Sequence, residues 1–319
     1  MQNNESLRQN AETFLLYKRS IGYIYDTQEF YLMNYVHYAE RTSPGISVPN
    51  KQTIEGYLST LSVSAGSLYN ATAVLREFGK HLAQRSQMGV YIIPAKSNPA
   101  FVPDPPYFFT MIEIHRFFEA IDSVEPHLSF PGRELVIPAL YRLLYCCGLR
   151  CKEARTLLYE NTHLDERYLD VIHSKGPKSR RIYISEELSV YLTRYDAEIK
   201  MVFPDRKYFL PHNHDTCYES IFVSNNFKRF WKKAFPSFQL TTRPRAYDFR
   251  HHFVWANLNR WANEGLDLNA MLPYLARYMG HQHIKSTLYY FRFVPDFFPV
   301  FADMTKLSES ILPEVLDEE

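Results

Sequence analysis

The chain has 319 residues, enough for about two domains, and its 46% hydrophobic and 22% charged content supports buried cores and excludes a disordered chain. No apolar run approaches the roughly 18 residues that span a bilayer, and the polar opening MQNNESLRQN is no signal peptide, so a cytoplasmic protein with no membrane partner is expected. A formal net charge of +1 by itself argues weakly against a nucleic-acid partner, although local basic surfaces grip phosphates whatever the total.

In chain order, the first elements are helical. SLRQNAETFLLYKRSIG carries Phe14, Leu15, Leu16 and Tyr17 and stops near Gly22. DTQEFYLMNYVHYAERT opens on Asp26 as an N-cap, with Glu29 three residues on to complete a capping box. NKQTIEGYLSTLS is a third helix. In SAGSLYNATAVLREFGKHLAQR, Leu68, Ala71, Leu75, Phe78 and Leu82 recur at helical spacing. These four helices make a small bundle over residues 1–88. The following MGVYIIPAKSNPAFVPDPPYF holds five prolines, which remove amide donors and stiffen the chain, so residues 89–106 read as an extended linker.

The second domain, 107–319, restarts with TMIEIHRFFEAIDS, where Thr110 and Glu113 form a capping box. RELVIPALYRLLYCCG ends at Gly148, a natural C′ residue, and RCKEARTLLY begins a short helix at once. RYLDVIHS and RRIYISE read as two strands joined by a tight KGPKS connection. The remainder is mostly helical: LSVYLTRYDAEI, ESIFVSNNFKRFWKKAF, DFRHHFVWANLNRWANEG and LNAMLPYLARYMG. The fold class is therefore mainly α: a helical bundle, then an α-rich domain with a small antiparallel sheet.

The four cysteines offer neither a disulfide framework nor zinc spacing. Cys146, Cys147 and Cys151 crowd into six residues and Cys217 stands apart, so buried thiols packed in a helix are expected. The near-neutral total charge hides an uneven distribution. Lys228, Arg229, Lys232, Lys233, Arg243, Arg245, Arg250 and Arg260 face a single acid, Asp248, and SKGPKSRR adds Lys175, Lys178, Arg180 and Arg181. The tail beyond Phe301 is acidic, with a short apolar stripe of Leu307, Ile311, Leu312 and Val315.

Four short stretches carry chemistry. CCGLRCKEARTL sets Arg150 at a helix start, where free amides and the positive dipole end suit phosphates, with Glu153 three residues away to orient it. HSKGPKSRR sets Lys175 at a hairpin tip. RAYDFRHHF sets Arg250 at another helix start. GHQHIKSTLYYF supplies His281 and the pair Tyr289 and Tyr290, which point about 100° apart on a helix, so at most one can serve a given site. Each stretch alone is ordinary: a surface arginine, a solvated lysine, a core tyrosine. The ordered set is specific.

That set resembles the tyrosine recombinase family, the phage integrases and Xer-like recombinases. The resemblance covers most of the chain: the bundle is similar to the family's core-binding, SAM-like domain, and residues from about 108 to 290 to its catalytic domain. It implies catalytic roles for Arg150, Lys175, Tyr247, Arg250, His281 and Tyr290. The family nucleophile stands nine residues after the histidine of the GH motif, which selects Tyr290. One position departs: where the family has His-x-x-Arg, this chain has Tyr247, and His251 and His252, which follow Arg250, are not expected to replace it.

The implied reaction is attack by a tyrosine oxygen on a DNA phosphodiester, giving a 3′-phosphotyrosyl link and a free 5′-hydroxyl, then reversal by another strand. Two guanidiniums bind the non-bridging oxygens in fork geometry, Lys175 protonates the leaving oxygen, and no cofactor or metal is expected. The implied partners are double-stranded DNA and further copies of the chain, as a tetramer on DNA, with the C-terminal stripe docking on a neighbour or folding back. The alternatives are a DNA-binding protein that keeps the fold without catalysis, and a type IB topoisomerase.

Overall fold

The computed structural model describes residues 5–61, 65–85, 87–95, 105–172, 179–237, 243–281, 283 and 285–290. The chain divides into two compact units, Met1–Pro103 and Asp104–Glu319.

The first unit is built from α1 (Leu7–Ser20), α2 (Asp26–Thr42), α3 (Lys51–Thr60) and α4 (Ala65–Gln84). Its core takes Leu7, Ala11, Phe14 and Leu15 from α1, Leu32, Tyr35, Val36 and Ala39 from α2, and Ala71, Val74, Leu75, Phe78 and Leu82 from α4. These are the i, i+3, i+4, i+7 positions of amphipathic helices. The start of α1 is fixed by a capping box between Ser6 and Gln9.

The expected cap of α2 is corrected. Tyr25 occupies the N-cap position in the left-handed conformation (φ 62°), and Asp26 is the first helical residue with no side-chain cap. The Tyr25 ring is buried and its hydroxyl donates to Glu77 at 2.7 Å, which anchors the residue there. Asp26 and Glu29 act instead as first-turn acids that complement the helix dipole. Residues at the start of the proline-rich stretch pack on the bundle: Ile93 is buried, Tyr91 N–H donates to Pro49 O, and Arg76 donates to the carbonyls of Ile93 and Pro94. Residues 96–104 of that stretch lie outside the described residues.

The second unit contains α5 (Met111–Asp122), α6 (Arg133–Cys147), α7 (Cys151–Arg155), strands β1 (Thr162–His163), β2 (Tyr168–Val171) and β3 (Arg180–Tyr183), then α8 (Glu186–Val202), α9 (Ser220–Ala234), α10 (Asp248–Asn263), α11 (Leu268–Met279) and α12 (Lys285–Leu288). Thr110 and Glu113 make the expected capping box. The core is an aromatic cluster, with Phe109, Phe117, Tyr141, Phe227, Trp231 and Phe249 linked by ring contacts. The sheet is antiparallel in the order β1-β2-β3, pairing Thr162 with Leu169 and Leu169 with Ile182. Its two-residue first strand is too short to leave an alternation in the sequence.

The expectation for the cysteines holds only for Cys147, which is buried. Cys146 is exposed, and Cys151 and Cys217 are half-buried. Neighbours on α6 point about 100° apart, so Cys146 and Cys147 cannot share the inward face. Among the described residues no helix is long and apolar enough to cross a membrane.

Candidate active site

The site begins where α6 stops. Gly148 takes the left-handed conformation (φ +58°), and a Cβ there would lie 2.7 Å from the Phe253 ring, so both backbone and space require glycine. The turn brings Arg150 to the N-cap of α7. Its backbone N–H donates to Glu153 Oε2 at 2.9 Å and its guanidinium to Glu153 Oε1 at 2.6 Å. The expected pairing of these two residues is thus present. Arg150 also donates to Gly280 O at 3.0 Å.

Glu153 is buried and gathers two further guanidiniums. Arg180 of β3 makes a bidentate pair with it, at 2.9 and 2.8 Å, and donates through Nε to Tyr278 O at 2.7 Å. Arg250 of α10 approaches the same carboxylate to 4.0 Å. The Arg250 side chain is only 1% exposed, and its guanidinium donates to Gly148 O at 2.7 Å and to Met279 O. Burial, followed by the nearby Arg150 charge, lowers the Arg250 pKa to about 10, so it stays cationic at neutral pH. Three guanidiniums against one carboxylate leave an excess of positive charge, held in place by backbone carbonyls at two helix ends.

The other site residues come from the start of α10, the end of α11 and the stretch around α12. Tyr247 is the N-cap residue of α10, 42% exposed, with its ring edge-on to His251 at 5.0 Å. Gly280 caps α11 in the left-handed conformation, and His281 follows it. His281 Nδ1 lies 2.8 Å from the hydroxyl of Thr287, which is fully buried on α12. Burial, then Arg250, Arg150 and Arg180, push the His281 pKa down to about 4, so its ring is neutral at pH 7.

Tyr290, just past α12, is 4% exposed and packs with Val254, Leu258, Leu272, Leu275 and Met279. Its hydroxyl lies 2.6 Å from His251 Nδ1. Burial raises its pKa well above the ordinary phenol value, while Arg250 and Arg150 oppose that rise. Tyr289 is half-buried, with its ring edge-on to Tyr290.

Of the residues singled out in the sequence, Arg150, Arg250 and His281 meet around one cluster, with Tyr247 and Tyr290 joined to it through His251. Lys175, with residues 173–178, lies outside the described residues. The sequence reading missed Arg180, His251 and Thr287 as site residues. Strand alternation holds a signal for Arg180, because it shares a face of β3 with the buried Ile182 while Arg181 points the other way. His251 is four residues from Tyr247 and therefore on the same face of α10.

A sequence model of the phage integrase family matches residues 109–294. The chain belongs to the phage integrase family. Members of this family of tyrosine recombinases are DNA strand-transferring enzymes. The chain is 27% identical over 288 residues to y4rE of Sinorhizobium fredii, a protein named for integrase or recombinase activity, covering 89% of this chain and 91% of that one. It is 25% identical over 257 residues to tyrosine recombinase XerC of Lactobacillus leichmannii, covering 77% and 79% of the two chains. In fold, this integrase-family chain is similar to XerH recombinase bound to palindromic difH substrate, with a TM-score of 0.62 at 15% identity over 89% of this chain and 79% of that one. A lambda integrase dimer bound to a core site gives a TM-score of 0.61 at 15% identity over 88% and 96% of the two chains.

Proposed function

We propose that this phage integrase-family protein is a site-specific recombinase of a mobile element, cutting and rejoining duplex DNA in the cytoplasm through a 3′-phosphotyrosyl link. The observation that supports this reading best is the gathering of Arg150, Arg180 and Arg250 on the single carboxylate of Glu153, with Arg150 and Arg250 acting electrostatically on the buried Tyr290 phenol. In this scheme Tyr290 attacks phosphorus. Arg150 and Arg250 hold the non-bridging oxygens as negative charge builds, each worth ~3–4 kcal/mol to the transition state. Their planes are fixed in advance by Glu153 and by the carbonyls of Gly148, Met279 and Gly280, so little reorganisation is needed at the moment of reaction. His281, neutral and steadied by Thr287, donates a hydrogen bond to the phosphate. Tyr247 positions the phosphate from the rim. Lys175 protonates the departing 5′-oxygen. The proline-rich stretch lets residues 1–88 and 107–319 engage one duplex as a DNA-binding and a catalytic domain, and a tetramer brings two duplexes together.

The test is a nicked suicide duplex, from which the cleaved strand end diffuses away and traps the covalent adduct. Wild type should give an adduct on a denaturing gel, with EDTA present or absent. Tyr290→Phe should bind the duplex and give none, and Tyr289→Phe should give one. Adduct persisting in Tyr290→Phe and lost in Tyr289→Phe would move the nucleophile by one residue. Dependence on a divalent metal would overturn the arginine-only account of the phosphate charge.

A further inference from the structure

The contact between His251 and Tyr290 offers a direct route for a proton off the phenol. His251 is the fourth residue of α10 and Tyr290 follows α12, yet Nδ1 and the phenol oxygen lie 2.6 Å apart, at the short end of hydrogen-bond range. The two rings are tilted at 46° with centroids 5.4 Å apart, so the contact runs through the edge of the imidazole. Tyr247, where the family resemblance expects a histidine, instead packs edge-on against the His251 ring.

Building on the proposed role of Tyr290 as nucleophile, we propose that His251 is a catalytic residue, the base that takes the Tyr290 proton during cleavage and returns it during rejoining. As the Tyr290 oxygen bonds to phosphorus, its proton passes to His251 Nδ1. The bond from phosphorus to the 5′-oxygen breaks, and that oxygen takes a proton from a separate acid, Lys175 in the scheme above. In rejoining, the 5′-hydroxyl attacks phosphorus and gives its proton back to the lysine, while His251 Nδ1–H protonates the departing phenolate.

The surroundings keep the ring in its accepting form, and Asp248 offsets part of the burial that weakens it as a base. Accepting from the phenol requires a neutral ring with its proton on Nε2. Burial holds the ring neutral, pushing the His251 pKa down to about 4; Asp248 opposes this, while Arg245 just before α10 and Arg250 on it add to it. His281, close enough to interact with His251, is neutral as well. The imidazolium formed in the step would lie close to the buried Asp248 carboxylate, which favours its charge.

The experiment uses the same suicide duplex with the full-length chain. Asparagine presents an amide at the position of Nδ1, so His251→Asn keeps a hydrogen-bonding group beside Tyr290 but no basic nitrogen. It should bind DNA as wild type does and form the adduct about a hundredfold more slowly. A substrate with bridging sulfur at the 5′ position relieves the need for an acid on the leaving group, and it should leave the His251→Asn defect in place. In His251→Ala, free imidazoles should accelerate adduct formation, more so as their basicity rises; a residue that merely positions Tyr290 would show no such trend. Wild-type rates in His251→Asn, rescue of that variant by the sulfur substrate, or no acceleration of DNA-bound His251→Ala by imidazoles would each overturn the proposal. An adduct in Tyr290→Phe would overturn the nucleophile assignment and this inference together. Loss of adduct in Tyr290→Phe beside a fast His251→Asn would overturn this inference alone.

Discussion

Among the described residues, the buried polar side chains of the first unit are Asn10, Thr53 and Thr72, all uncharged, whereas the second unit also buries charged ones, Glu113, Glu153, Arg206, Asp248 and Arg250. The neutral groups tie helices together at modest cost. Thr53 meets the Tyr35 hydroxyl at 2.9 Å, and Asn10 donates to Ser47 O and accepts from Gln87. The charged groups are a different matter. Desolvating an ion costs several kcal/mol, and a well-packed apolar replacement is often as stable or more so. The aromatic cluster of Phe109, Phe117, Phe227 and Trp231 already gives the second unit a dense core without them. Glu113 closes a capping box and Arg206 pairs with Asp196, but Glu153 on α7 and Arg250 at the start of α10 sit where three guanidiniums converge beside the ends of α6 and α11, which fits a field built for a phosphate better than a contribution to folding.

The comparison breaks most visibly at Arg250. Arg250→Ala should slow adduct formation by about 10²–10³-fold, the usual cost of losing one preorganised donor. It also leaves the carbonyls of Gly148 and Met279 without the contacts they accept from this side chain. Arg250→Lys keeps the charge and loses the fork, so single-turnover kinetics should place it well below wild type. A near-normal rate in either variant would show that the buried guanidinium is structural.

Glu153 and Thr53 sharpen the contrast in stability. Glu153→Gln leaves Arg150 and Arg180 without the carboxylate that neutralises them and should cost about 3 kcal/mol, the low end for a broken buried pair because the amide oxygen still accepts. Thr53→Val removes one hydroxyl facing another and should cost about 1 kcal/mol. Denaturant melts of the full chain would measure both. Equal effects would mean that the charged cluster carries no special strain.

Much of this was legible in the sequence because it depends on short-range pattern. Gly148 and Thr110 mark helix ends by backbone chemistry, and Glu153 reaches Arg150 over a single turn, so spacing alone announces all three. The contacts that complete the site span 39 residues between His251 and Tyr290, 27 between Arg180 and Glu153, and 130 between Arg150 and Gly280. No local period encodes those distances, and Arg180 looked like one more charge in a basic run. Tyr25 shows the opposite failure. Asp26 is a better capping residue by intrinsic preference, yet a buried ring and a hydrogen bond to Glu77 override it.

The two units should also respond differently to acid. His251, His252 and His281 in the second unit are each pushed down to about 4 from an ordinary 6.5, with burial the leading cause. Between those values the unfolded chain takes up protons that the folded chain refuses. The stability these rings contribute is therefore complete above about pH 6.5 and is lost as pH falls toward 4. In the first unit only His81 is shifted the same way among the described residues. Hydrogen exchange at pH 7.5 and pH 5 should show protection of α10 and α11 falling faster than that of α1 and α2. Parallel losses would assign the acid sensitivity to carboxylates shared by both units.

The smallest expected effect is at Tyr247, on the rim of the charged site. A phenol donates a hydrogen bond to a phosphate oxygen much as an imidazole N–H does, but it does not take up a proton near neutral pH. At 42% exposure its hydroxyl competes with water before DNA arrives, so Tyr247→Phe should cost about 0.5–1.5 kcal/mol of transition-state binding, or about two- to tenfold in cleavage rate. Tyr247→His puts a second imidazole against the edge of His251, at the place where the tyrosine ring now packs. That variant should keep activity and gain a pH dependence near the ordinary imidazole pKa, because a ring at the exposed rim escapes the desolvation that holds His251 neutral. If Tyr247→His also relieves the defect of His251→Asn, the two positions are interchangeable sites for one base on the same face of α10. If it does not, the base is confined to the position whose nitrogen already meets Tyr290. Wild-type cleavage in Tyr247→Phe would show that the hydroxyl is idle and that the ring serves only to pack His251 toward Tyr290.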